Sequence, residues 1–152
     1  FRSAMTAVVI GYGNRLRCDD GAGHRLAEWL AAEHRPDVVV VACHQLMPEL
    51  IQPLSAASRV LFIDAAFGAP GVRLLPLPSH RANGSSLGPF SHALSPLQLL
   101  ALAELLEAAT PTAWQLLIPA HCCGLGEQLS KDTASACRSA LPLLRRWLKS
   151  DA

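Results

Sequence analysis

Short, unbroken apolar runs alternate with segments of helical spacing along almost the whole chain, and this alternation limits the fold more than any other feature. Residues 6–11 (TAVVIG), 37–42 (DVVVVA), 59–64 (RVLFID) and 113–119 each read as a buried strand, and 72–77 as a weaker one. Between them, residues 20–33 repeat apolar positions at Ala22, Leu26, Trp29 and Leu30, which share one helical face. Residues 48–57 read as a short helix with Pro48 in its first turn. Ser95 and Pro96 open a helix running to about Ala109, and Ser130 opens a last helix to about Lys149, with a kink expected at Pro142. Residues 78–91 read as a loop. Strands without polar alternation, each followed by a helix, predict an α/β fold. Its sheet is mostly parallel, has about five strands, and is covered on both faces.

The balance of residue types fits that reading. In 152 residues, 51% are hydrophobic and 16% charged, which is a rich core under a sparse charged shell. One domain spanning 1–152 is expected, with residues 1–4 read as leader residues or a misassigned start before Met5. The net charge of +1 gives no stripe for a polyanion, so no nucleic acid partner is expected. The one basic cluster, Arg145, Arg146 and Lys149, reads as a solvated helix end. Five cysteines without a C-x-x-C pair suggest neither a disulfide framework nor a zinc knuckle. No apolar run reaches the length of a membrane helix. A cytoplasmic monomer with reduced thiols and no membrane partner is expected.

In a parallel sheet, ligands gather beyond the carboxyl ends of the strands. Residues 13–20, His44, Asp64 and His121 follow strands directly, and His92 follows the fourth strand by a loop. Gly11-x-Gly13 invites a dinucleotide reading, but Leu16 stands where the third glycine belongs and no acid ends the second strand. The glycines read as tight-turn residues. For the Asp19-Asp20 pair, capping of the following helix competes with a functional acid. Asp64, at the end of an apolar run, must be paired, hydrogen-bonded or bound to a metal. One acid of the Asp19-Asp20 pair, with Asp64 and His92, makes a mixed oxygen and nitrogen donor set suited to divalent Ni, Zn, Mn or Fe. His121-Cys122-Cys123 offers a cysteine nucleophile with a neighbouring imidazole, yet adjacent side chains point apart on an extended chain.

Five segments in order resemble the hydrogenase maturation endopeptidases: VVIGYGNRLRCDDGAG (8–23), CHQLMPEL (43–50), LFIDAAFGAPG (61–71), SHALSPLQLLALAELL (91–106) and GEQLS (126–130). The resemblance implies a three-layer α/β/α fold around a five-stranded sheet. It implies an endopeptidase that removes the C-terminal extension of a nickel-iron hydrogenase large-subunit precursor after nickel insertion. The trio implied to be both metal-contacting and catalytic falls on Asp20, Asp64 and His92. The nickel is carried by the substrate, and Zn, Cd or another divalent ion can take its place. Cys18 departs from the family, standing where a glycine is common, and so does His44. Some relatives carry the histidine inside the Ser-Pro-x turn, where this chain has Leu97. A non-catalytic, chaperone-like binder of the precursor C-terminus and a small-molecule hydrolase or phosphorylase are the competing readings.

Overall fold

The computed structural model describes residues 6–78 and 93–150. Strand β1 (Ala7–Tyr12) leads through a 3-10 turn (Cys18–Gly21) into helix α1 (Ala22–Ala31). Then come β2 (Val38–Cys43), a 3-10 turn (Pro48–Leu50) running into α2 (Ile51–Ser55), β3 (Arg59–Phe67) and β4 (Arg73–Pro76). Helix α3 (Pro96–Leu105), β5 (Thr112–Ala120) and α4 (Lys131–Lys149) complete the order.

The sheet order is β2-β1-β3-β5-β4. Four strands run parallel, and β4 joins β5 antiparallel at the edge. Helices α1 and α4 cover one face through Val9, Leu26, Leu30, Leu61, Ile63, Leu116, Leu144 and Trp147. On the other face, Val8, Ile10, Val60 and Phe62 pack with Leu54 of α2 and Leu99 and Leu100 of α3. Alternate strand residues thus feed opposite cores, which is why each strand is apolar at nearly every position.

Several helix ends follow local chemistry. Ser95 and Gln98 form a reciprocal capping box at the start of α3, with Pro96 in the first turn. Ser130 caps α4 by accepting from the Thr133 amide. At the far end of α4, the Arg59 guanidinium stacks 4.4 Å from the Trp147 ring centroid and donates to the Trp147 and Leu148 carbonyls. A cation is favoured there by the helix dipole. Arg145 is exposed at the end of α4, as expected, and it also donates to Glu33 at 2.8 Å, tying α4 to the segment after α1.

Other boundaries also differ from expectation. The first helix begins two residues later, after the 3-10 turn. The third strand does not stop at Asp64 but continues three residues further, because β5 pairs with it as far as Phe67↔Ala120. The helix expected over 48–57 is a 3-10 turn followed by five residues of α-helix. Pro142 lies inside α4, which continues past it to Lys149. No described helix is long and apolar enough to cross a membrane.

Candidate functional site

The topology itself marks one crevice. From β1 the chain crosses to β2 on one side, then returns past β1 to β3 on the other. The connections diverge between the carboxyl ends of β1 and β3, leaving an open edge where side chains from both loops can meet. Pairing of β1 with β3 ends at Gly11↔Ile63, so Asp64 is the first β3 residue beyond it.

The loop leaving β1 is folded tightly against this edge. Gly13 has φ +146, and a Cβ there would overlap the Asp20 carbonyl, so only glycine fits. A Cβ on Gly23 would overlap the Ile63 carbonyl, and its absence lets the first turn of α1 rest directly on β3. Asn14 closes a short turn through its side-chain oxygen, which accepts from the Leu16 amide at 2.9 Å. The Asn14 amide donates to Asp20 Oδ2 at 2.9 Å. These bonds fix Asp20 as a half-buried carboxylate at the crevice.

Asp64 is its counterpart on β3. Burial pushes its carboxyl up to about 6, and the nearby Asp20 charge adds to the rise. Hydrogen bonds from the Tyr12 phenol and the Ala65 amide pull the other way without winning. The Tyr12 hydroxyl is itself driven well above its ordinary range, first by burial and then by the Asp64 charge, while it accepts a bond from Gln115. A chain Gln115–Tyr12–Asp64 therefore crosses from β5 to β1 to β3. Two carboxylates that repel one another in a half-buried setting favour either a shared proton or a cation between them.

Asp19 behaves differently, and neither acid of the pair caps α1, whose N-cap residue is Gly21 with no side-chain bond. The Asp19 carboxylate is fully buried and accepts four hydrogen bonds: from the amides of His121 (2.8 Å), Cys122 (2.9 Å) and Ser130 (2.7 Å), and from the Ser130 hydroxyl (2.7 Å). Burial alone would raise its pKa, but these donors outweigh it and hold the group at about 2. Asp19 thus fastens the β1 loop to the β5 loop and to the start of α4.

Of the sequence-predicted trio, Asp20 and Asp64 lie together, and His92 falls outside the described residues. Among the described residues no three His, Cys, Asp or Glu side chains are grouped to hold a metal ion. His44 and His121 are exposed. Sequence reasoning missed Tyr12 and Gln115. The available signal was that each is a hydrogen-bonding residue in an otherwise apolar strand, and Tyr12 is the chain's one tyrosine. Large apolar side chains are exposed in the loops after β1, β2 and β5, at Leu16, Met47 and Leu125, and at the end of β3, at Phe67.

No family model matches the sequence, and no curated protein matches it. Solved structures do. A [NiFe] hydrogenase maturation protease HycI from Thermococcus kodakarensis superposes with a TM-score of 0.74 at 21% identity, covering 96% of this chain and 94% of that one. The hydrogenase maturating endopeptidase HybD from E. coli gives 0.74 at 17% identity, covering 95% and 93%. A hydrogenase 2 maturation peptidase from a Thaumarchaeota archaeon gives 0.68 at 21%, covering 94% and 97%. The chain has the fold of the hydrogenase maturation proteases. Coverage above nine-tenths in both directions means that this fold accounts for the chain from β1 to α4.

Proposed function

We propose that this protein is a hydrogenase maturation endopeptidase, removing the C-terminal extension of a nickel-iron hydrogenase large-subunit precursor once nickel is inserted. The observation that carries the reading is the pairing of Asp20 and Asp64 at the switch point of a fold shared with such proteases. Two half-buried carboxylates facing one crevice gain most from a divalent cation, because one ion relieves both charges. Imidazole from His92 would complete a mixed donor set.

In this reading nickel is cargo, arriving on the precursor's own cysteines. Asp20, Asp64 and His92 take up the open side of the ion and so hold the adjacent peptide bond in register. The ion supplies Lewis acidity toward the scissile carbonyl or a bound water. Tyr12 and Gln115 hold the Asp64 carboxylate in one orientation. Asp19 keeps the loop of Asp20 in place from behind. The exposed apolar side chains at and beyond the strand ends suit a polypeptide substrate better than a small polar one. Recognition through the ion makes cleavage conditional on nickel insertion. The same reading makes the protein a cytoplasmic monomer.

The test is to mix the protein with nickel-loaded and nickel-free precursor and follow the precursor mass and any released peptide. Release only from the loaded form is expected, and Asp20→Ala abolishes it. Stable association with no new C-terminus would instead identify a chaperone-like binder. Indifference to nickel, with turnover of a small molecule, would identify a hydrolase or phosphorylase.

A further inference from the structure

Cys18 occupies an unusual position. Its φ of +49 lies in the left-handed region, which costs a side-chain-bearing residue energy that glycine avoids. The strain aims its sulfur at the loop after β5. The Cys18 Sγ lies 3.5 Å from where a Cβ on Gly126 would be, and the neighbouring Cys122 side chain, ahead of burial, pushes the Cys18 thiol above its ordinary range. The backbones around the two cysteines are already bonded: the Cys18 amide donates to the Gly126 carbonyl at 2.8 Å and the Asp19 amide to the Cys122 carbonyl at 2.9 Å. Neither cysteine is fully buried, so a small reagent can reach them, while Cys123 is exposed.

We propose that Cys18 and Cys122 form a reversible disulfide that ties the β1 loop, which carries Asp20, to the β5 loop. A low-molecular-weight disulfide such as oxidised glutathione is the oxidant. One cysteine thiolate attacks it, forming a mixed disulfide and releasing one reduced thiol. The second cysteine attacks the protein sulfur of that intermediate and displaces the other thiol. Two protons and two electrons leave the protein, and the reagent disulfide is reduced to two thiols. The bond joins segments that Asp19 already holds in register, so it closes with little loop movement and restrains the β1 side of the crevice's mouth. It stands independently of the nickel-dependent reading.

The purified protein is incubated with oxidised glutathione, then mapped by peptide mass spectrometry without reduction. The expected product has lost about 2 Da and two of its five thiols, with one peptide pair linked through Cys18 and Cys122 and reversed by dithiothreitol. Amides of the β1 and β5 loops then exchange at least tenfold more slowly, and the melting temperature rises on the order of 5 °C. The variant Cys18→Gly suits the left-handed backbone, stays folded, and loses the link. A Cys122–Cys123 link, a glutathione adduct that never resolves, or five free thiols would overturn the proposal. So would an unchanged 2 Da loss in Cys18→Gly.

Discussion

Asp19 and Asp64 carry the same side chain and border the same crevice, yet their surroundings move them in opposite directions. Asp19 is wholly buried and held at about 2, because four donors converge on its two oxygens. Asp64 is raised to about 6, because burial outweighs its two donors and the Asp20 charge adds to the rise. Burial by itself therefore does not decide a carboxylate's role. The count of converging donors does. A satisfied acid is a structural fastener, and an under-satisfied one keeps affinity for a proton or a cation.

The sharpest way to break this contrast is at Asp19. Asp19→Ala orphans the amides of His121, Cys122 and Ser130 and frees the Ser130 cap. Loss of such a buried, charge-assisted set is expected to cost about 4 kcal/mol, read as a lower denaturant midpoint at unchanged slope. The wild-type contribution depends on pH with a defined sign. A depressed pKa gives stability that is present above about pH 4 and lost as pH falls toward 2. If Asp19→Ala unfolds at the wild-type midpoint, the fastener role is wrong.

Asp20→Asn tests the other side of the contrast. It keeps an oxygen for the Asn14 amide, so stability should change by less than about 1 kcal/mol. Precursor cleavage should nonetheless fall at least about 100-fold, near 3 kcal/mol in the transition state. Equal losses of stability and cleavage would mean that adjacent acids share one structural task.

Asp64→Asn should do what loss of a polar contact rarely does and stabilise the protein. A raised pKa means that the native state binds more protons than the unfolded chain between about pH 4 and 6. Stability from this group therefore declines as pH rises through that window, by about 3 kcal/mol. The amide carries no charge to desolvate, so the variant should be more stable than wild type at pH 8 and equal to it near pH 4. Urea titrations at the two pH values decide this, and cleavage should be lost at both.

The sequence made the scaffold readable and half of the site. Runs such as AVVIGY and VVVVAC announce buried strands because flanking helices leave no room for polar alternation, and their ends were legible to within a residue or so. The extension of β3 past Asp64 was hidden, since it depends on pairing with a strand some fifty residues later. The antiparallel sense of β4 was hidden for the same reason. Asp20 and Asp64 were legible as candidates because acids beyond strand ends are costly to bury unpaired. Asp19's task was not, because its donors sit 102 to 111 residues away. The Cys18–Cys122 contact is equally non-local. His92 was legible as a donor in the loop after the fourth strand and lies outside the described residues.

Tyr12 gives the smallest and most selective test. Its phenol donates to Asp64 and so lowers a pKa that burial and Asp20 raise. Tyr12→Phe keeps the ring's packing and removes that one donor, leaving Gln115 without its acceptor. The expected cost is about 1 kcal/mol at pH 8, where Asp64 is ionised, and less near pH 4, where a protonated carboxyl needs the donor less. With the donor gone, the Asp64 titration should move upward from about 6, the opposite direction to adding a hydrogen bond to the charged form. NMR titration of the Asp64 side-chain carbon reads the shift directly. An unmoved titration would mean that Tyr12 only fills space, and Asp64 would then owe its orientation to the Ala65 amide. A downward shift would mean that the phenol had been holding the protonated form, reversing the sense of the Gln115–Tyr12–Asp64 chain.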